Sequence, residues 1–362
     1  MNEPNVRVLL LCAAFLGTGA ATTLSVPPAP PRLPKIPIVE LRILPLLMIA
    51  AILVMFAAVF PDILFSSRTE AAISLGAARP FEMLLLLLLP RGVAIGYCIL
   101  LMMRICSLVK NNRIPLFEML LLLPGLIYFN PVALSRQALS TGVLALFFIL
   151  SRYRLLDRRW IVGFLPLAAL FLAPALSNIT RYEMRNDWFP FAPDFDVHQN
   201  AAVALQLLDA EGFRWGSHLL ASLSTVLPSE LKLFESSHLL ASERLKGLYD
   251  QTNISLPAFV EFFIDFGWIG LFALTYLVSR ALRAVQTRAY FHRRSDLWII
   301  GASCIVGGDW LALNRGPFLG NAPVLIIFLI GWTFCYCVAV KSRQSKLLKP
   351  ESYSRHGAVP AN

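Results

Sequence analysis

The feature that most constrains this chain is a series of nine apolar runs separated by short polar connections. Most of them approach the ~20 residues that a helix needs to cross a bilayer. The runs are 8–26, 43–60, 81–103, 114–131, 138–150, 160–176, 257–279, 297–313 and 318–340. Only 15% of the residues are charged, against about 25% in a soluble domain. The pattern predicts an all-α, polytopic integral membrane protein with about nine transmembrane helices.

The first run, 8–26, fits two alternatives. Arg7 precedes it and small residues occupy 17–21, as in a signal peptide. The following stretch, 27–35, holds five prolines with Arg32 and Lys35, which is typical of a short cytoplasmic linker after a membrane helix. We therefore favour a helix for this run and leave the signal peptide as the alternative.

The basic connections predict how the chain is oriented, because Lys and Arg collect on the cytoplasmic side of membrane proteins. They are 104–113, 151–159, 280–294 and 341–355. Alternation then places four connections outside, at 61–80, 130–137, 178–256 and 314–316. This predicts four regions: six helices in 1–177, a large outer loop in 178–256, three helices in 257–340 and a cytoplasmic basic tail in 341–362. The amino-terminus lies outside if all nine runs cross.

The outer loop, 178–256, is the one long polar stretch. Its ten acidic and six basic side chains give it a net charge of −4 in a chain of +10. Aromatic side chains are interleaved, and aromatic faces with arginine forks suit a sugar–phosphate substrate. The alternative is an ordinary folded loop that covers helix ends. Within the loop, apolar residues at helical spacing predict two amphipathic helices at the outer membrane boundary, 200–210 and 217–227.

Several polar residues of the loop and of the other outer connections are candidates for a common site. They are Arg136, Gln137, Arg181, Asp187, Arg185, Asp194, His198, Arg214, Glu261, Asp265, Asp309 and Arg315. Glu261 and Asp265 share a helix face because they are four residues apart. Each has a structural alternative: Glu261 can complement a helix amino-terminus, Arg136 can snorkel to the boundary, and Asp309 can pair with Arg315. Their joint occurrence on one side favours a substrate site.

Signals of several other function classes are missing from the sequence. It has no Walker-type phosphate loop, no GxGxxG with an acidic residue at the right distance, no HExxH and no GxSxG. The six cysteines lie in or beside apolar runs without CxxC spacing, which gives no metal-ligand pattern. The basic excess is explained by topology. We therefore predict no metal, no cofactor and no nucleic-acid partner.

Five segments together resemble one family. They are Arg136-Gln137 before an apolar span, Asp194-Phe195-Asp196 with Asn200, the segment 216–228 followed by Lys232, the segment 255–270 with Glu261 and Gly267, and Arg315-Gly316. This ensemble resembles the Wzy-type O-antigen or exopolysaccharide repeat-unit polymerases of bacterial inner membranes. The resemblance covers roughly residues 136–340.

The resemblance implies a GT-C-like glycosyltransferase that uses an undecaprenyl-diphosphate-linked oligosaccharide on the periplasmic face of the inner membrane. Its partners would be this substrate, membrane lipid and a chain-length regulator protein. The substrate-binding candidates are then Arg136, Gln137, Arg181, Arg185, Arg214 and Arg315, which would stabilise the diphosphate leaving group without a metal. The candidate catalytic bases are Asp187, Asp194, His198 and Glu261.

Three other functions stay open at this point. A ligase-like enzyme would transfer the same donor to a lipid A core, a flippase would transport it, and a membrane scaffold would have no catalysis. A flippase is expected to carry charges buried mid-span on several helices, whereas the charges here gather at predicted outer ends and in one loop.

Overall fold

The computed structural model describes residues 4–24, 39–61, 64, 80–129, 136–153, 155, 197–217, 219–220, 256–291, 297–315 and 318–341. In these ranges the fold is helical, and the one extended pairing is an antiparallel bridge between Leu41 and Val340. The helices are α1 Pro4–Leu24, α2 Ile43–Val59, α3 Pro80–Lys110, α4 Leu116–Leu126, α5 Arg136–Arg152, α6 Val197–Glu211, α7 Ala258–Phe291, α8 Leu297–Arg315 and α9 Phe318–Ala339. A 3-10 turn, Ile127–Phe129, follows α4.

The predicted all-helical fold is confirmed for the described part of the chain. Eight of the nine apolar runs coincide with helices, and the ninth, 160–176, lies outside the described residues. By length and composition, two stretches of that part suit a bilayer crossing, Leu88–Lys110 and Ala258–Val285, and six further apolar stretches have 10–17 residues. The count of nine membrane crossings and the division into four regions stay predictions.

Helix α7 is longer than its apolar run predicts. The run ends at residue 279, whereas the helix continues to Phe291 through the basic segment that was expected to be a connection. The continuation, Arg280-Ala-Leu-Arg-Ala, consists of residues with high helix propensity. A change in polarity therefore ends the apolar run without ending the helix.

The main core lies among α2, α3, α4, α5, α8 and α9. Helices α3 and α9 approach closely through small residues, as membrane helices commonly do. A Cβ on Gly96 would lie 2.7 Å from the Trp332 Cα atom, so only glycine fits there. The Trp332 Nε1–H donates to the Trp298 carbonyl at 3.0 Å, which joins α9 to α8.

A second core joins α1, α6 and α7. Arg7 of α1 pairs with Asp209 of α6 at one end, and the Arg283 guanidinium donates to the Thr22 carbonyl at 3.5 Å at the other. A Cβ on Gly19 would lie 3.7 Å from Ser279 Oγ, so Gly19 and Thr22 of α1 meet successive positions of α7 and the two helices run parallel. The apolar residues of α6 pack against both of them; these residues are Ala201, Ala202, Ala204, Leu205 and Leu208.

Because of the directions in which the helices run, many basic residues lie at one end of the protein, here called the basic end. The described residues there include Arg42, Arg104, Lys110, Arg113, Arg152, Arg280, Arg283 and Lys341. Arg104 of α3 links two neighbouring segments at this end. Its guanidinium donates to the Val39 carbonyl, before α2, at 2.6 Å and lies 3.5 Å from the Glu118 carboxylate of α4. The opposite end, here called the site end, contains the first residues of α1, α5, α7 and α9 and the last residues of α2 and α8.

Candidate functional site

The antiparallel contact between α5 and α8 is closely packed. A Cβ on Gly308 would lie 3.1 Å from the Ala145 nitrogen and closer still to the Thr141 carbonyl oxygen. Beside it, the Thr141 hydroxyl donates to Asp309 Oδ1 at 2.8 Å, and both residues are fully buried. The backbone contact sets the spacing of the two helices, and the buried hydrogen bond sets their register.

This register places three predicted substrate-binding positions at nearly the same level of the site end, although Arg136 is about 140° around α5 from Thr141. Arg136 precedes Thr141 by five residues, and Arg315 follows Asp309 by six. At about 1.5 Å per residue these positions lie about 7.5 and 9 Å beyond the hydrogen bond, hence nearly level. Gln137 is one turn before Thr141 on the same face of α5. Position 315 is two turns after Gly308, on the face of α8 that meets α5.

The first turns of α7 carry two fully buried carboxylates, Glu261 and Asp265. Asp265 Oδ2 accepts a hydrogen bond from the Leu219 N–H at 2.8 Å. On the same side of α7, Ala258 and Phe262 pack against Leu219. Asp265 therefore anchors the loop segment that contains Leu219. Glu261 lies one turn earlier, where its charge also complements the amino-terminus of α7.

A break in α7 at Gly267 holds the same loop segment. Gly267 has φ 62° and ψ −149°, a conformation that is essentially restricted to glycine. The Arg214 N–H donates to the Ile264 carbonyl at 3.1 Å, and the Trp215 N–H donates to the Asp265 carbonyl at 2.9 Å. Carbonyls beside the break thus bond the loop instead of the next helical turn. The predicted substrate-binding residue Arg214 is thereby fixed on α7 and is half-buried.

The structure describes the other predicted site residues only in part. Arg181, Arg185, Asp187 and Asp194 lie outside the described residues, and His198 is described only by its backbone in the first turn of α6. The predicted helix at 217–227 is helical at its start, and residues 221–227 lie outside the described ranges.

The predicted helix at 200–210 is confirmed as α6. Its apolar side was expected to lie at the membrane boundary, but Ala201, Leu205 and Leu208 pack in one core with Val8 of α1 and Val260 of α7. Helix α1 runs beside α7 and therefore covers the apolar side of α6. The amphipathic pattern of 200–210 gives no information about this neighbouring helix.

Two polar features of the helical core were not among the predicted site residues. Arg91 follows Pro90 within α3 and is 5% exposed, so this arginine faces protein. Thr141 donates to Asp309, whereas the sequence suggests Arg315 as a partner of Asp309. Positions 309 and 315 are about 9 Å apart along α8 and on different faces. The sequence holds a weak indication of the contact between Thr141 and Asp309. Glycines, which let helices approach closely, adjoin both polar residues, in Thr141-Gly142 and Gly307-Gly308-Asp309.

The described residues contain no group of three His, Cys, Asp or Glu side chains that could hold a metal ion. The six cysteines are free thiols. The site end carries buried carboxylates on α7 and α8, the half-buried Arg214 and the backbone positions of Arg136 and Arg315. Such groups bind an anionic leaving group and accept a proton.

Comparisons with family models, with curated proteins and with solved structures give no significant match to this chain.

Proposed function

We propose that this protein is a metal-independent membrane glycosyltransferase. It polymerises undecaprenyl-diphosphate-linked oligosaccharide repeat units into O-antigen or exopolysaccharide on the periplasmic face of the bacterial inner membrane. The site end is the periplasmic end and the basic end is the cytoplasmic end, with about nine spans in total.

The observation that carries the proposal is the register of α5 and α8. Arg136, Gln137 and Arg315 come from separate parts of the sequence, yet their backbone positions are nearly level at one end of a helix pair that a buried hydrogen bond aligns. Arginines on two neighbouring helices suit a ligand with two phosphates, because each guanidinium presents a planar fork to phosphate oxygens.

The mechanism follows from the bond that breaks. The glycosidic C–O bond to the lipid diphosphate cleaves, the electron pair leaves on the phosphate oxygen, and the acceptor hydroxyl forms the new glycosidic bond. Arginine contacts strengthen as charge builds on the leaving diphosphate, so they lower the barrier. A carboxylate accepts the hydroxyl proton. Of the four candidate bases, Glu261 has a described side chain, on α7 at the site end.

The charge distribution supports the orientation. Among the residues whose side chains are described, the basic end carries eight Lys and Arg against Glu40 and Glu118, which is the bias expected of a cytoplasmic side. The other end carries Asp209, Glu261, Asp265 and Asp309 against Arg7 and Arg214, together with the positions of Arg136 and Arg315.

The experiment exchanges Arg136, Arg181, Arg185 and Arg315 singly for lysine in a complemented deletion strain. Lysine keeps the charge but loses the fork. We expect at least two variants to lose most polymer, since removing one well-placed donor costs roughly 3–4 kcal/mol, about a hundredfold to a thousandfold in rate. Polysaccharide length on a gel is the readout, with membrane levels checked by blot. The matched control is Arg113→Lys at the basic end. Normal polymer from all four expressed variants would contradict the proposal.

A lipid-linked oligosaccharide flippase is the second candidate, and Arg91 is the observation that favours it. An arginine 5% exposed inside a long apolar helix is typical of a substrate path through a membrane. The side on which lipid-linked repeat units accumulate separates the two functions. A deletion strain that lacks a polymerase accumulates them on the periplasmic face, whereas one that lacks a flippase retains them on the cytoplasmic face. Transfer of single units to a lipid A core would instead identify a ligase.

A further inference from the structure

The segment Arg214–Ser217 forms a tight turn with an unusual residue in it. The Ser217 N–H donates to the Arg214 carbonyl at 3.1 Å, and the two central residues, Trp215 and Gly216, have φ of 53° and 87°. Two successive positive φ values are those of a type I′ turn, which favours Asn, Asp or Gly at both central positions. A bulky aromatic residue at positive φ is an outlier. The turn itself therefore disfavours tryptophan at position 215.

The surrounding contacts hold this conformation in place. The Trp215 N–H is bonded to the Asp265 carbonyl at 2.9 Å, and Asp265 also accepts from the Leu219 N–H. A Cβ on Gly216 would lie 2.9 Å from Cζ of Phe266, so the ring of Phe266 closes that side of the turn. A strained residue that its neighbours fix in this way is a pointer to function.

Burial does not explain why a tryptophan occupies the position. The Trp215 residue is 77% exposed, and its one described ring contact is edge-on to Phe213, with centroids 6.3 Å apart. A tryptophan that stabilises a fold does so by burying its large apolar surface. Trp215 instead presents an open indole beside Arg214, on a backbone that is already fixed.

We propose that Trp215 is a saccharide-stacking residue, which binds a sugar ring of the lipid-linked oligosaccharide beside Arg214. The inference rests on the proposed function and names a residue for its substrate. The flat indole packs against the apolar C–H face of a sugar. Because the turn is already fixed in the free protein, binding does not cost the free energy of ordering it. A sugar is favoured over lipid because Trp215 lies in a polar turn between Arg214 and Ser217. Exposed apolar side chains surround this turn, those of Phe213, Leu220 and Phe266, so the test measures lipid contact separately.

The test compares three variants of the full chain in nanodiscs. Trp215→Phe keeps a ring, Trp215→Asn removes the ring but suits positive φ, and Trp268→Phe is the matched control on α7. The probe is the oligosaccharide released by mild acid from the lipid-linked pool of the source strain, fluorescently labelled and measured by equilibrium dialysis. We expect Trp215→Asn to bind it roughly tenfold more weakly, Trp215→Phe within about threefold of wild type, and the control unchanged.

Thermal unfolding separates this role from a structural one. Because asparagine tolerates the turn, Trp215→Asn should unfold at the wild-type temperature or above it while its affinity falls. The proposal is overturned by wild-type affinity in Trp215→Asn, by a lowered unfolding temperature in that variant, or by no binding in the wild type. It is also overturned if brominated phospholipids quench the fluorescence that Trp215→Phe removes, since the indole then lies in lipid.

The outcome is distinguishable from that of the proposed function. Weak oligosaccharide binding by Trp215→Asn, together with normal polymer from every arginine variant, would refute the polymerase function and support the saccharide-binding role of Trp215. Normal oligosaccharide binding by Trp215→Asn, together with lost polymer in Arg136→Lys and Arg315→Lys, would support the polymerase function and refute the stacking role.

Discussion

Gly308→Ala should separate α5 from α8 without changing any candidate site residue. The added Cβ would lie 3.1 Å from the Ala145 nitrogen and 3.2 Å from the Thr141 carbonyl carbon, with the Thr141 oxygen closer still. Carbon atoms in ordinary contact are about 3.5–4.0 Å apart. All three neighbouring atoms are backbone atoms, so no side-chain rotation makes room and the helices themselves must move.

The magnitude follows from a matched control, Gly17→Ala in α1, where an added Cβ meets nothing within 4 Å. Both exchanges replace glycine by alanine within a helix, so the gain in helix propensity of up to about 1 kcal/mol is common to both. Their difference is the packing term, and overpacking of this kind costs about 1–3 kcal/mol. We expect Gly17→Ala to be neutral or slightly stabilising and Gly308→Ala to be less stable than it by that amount.

The assay is unfolding of both variants in the same detergent, together with polysaccharide length in the complemented deletion strain. Gly308→Ala should also shorten the polymer, because displacement of α5 moves Arg136 relative to Arg315. If Gly308→Ala unfolds no more readily than Gly17→Ala, α5 and α8 do not make this close backbone contact, and Arg136 and Arg315 are not held level by it.

Three further outcomes are expected. Asp265→Ala should lose about 1–3 kcal/mol of unfolding free energy, since the buried Leu219 N–H loses its acceptor, whereas Asp265→Asn keeps an acceptor oxygen and should lose less; thermal unfolding measures both. Gly267→Ala should lose about 1–3 kcal/mol in the same assay because its φ is 62°, and a neutral result would mean that α7 does not break there. Reporter fusions after Trp215 and after Arg288 should give opposite signals, and equal signals would refute the proposed orientation.

The sequence by itself determined where most helices lie. An α-helix is stabilised by bonds between residues four apart, and an apolar run with helix-forming residues carries that information locally. Helices α2, α8 and α9 accordingly begin where their apolar runs begin. Even locally, hydropathy is an incomplete guide, because α7 continues for twelve residues beyond its apolar run.

Only the tertiary structure decided which faces meet. Thr141 bonds Asp309 because Gly308 lets α5 come close enough, and those residues are far apart in the sequence. Likewise, the apolar side of α6 packs against α1 and α7, although its amphipathic pattern equally suits a lipid surface. Such pairings depend on the shapes of two surfaces together, whereas helical periodicity describes one surface alone.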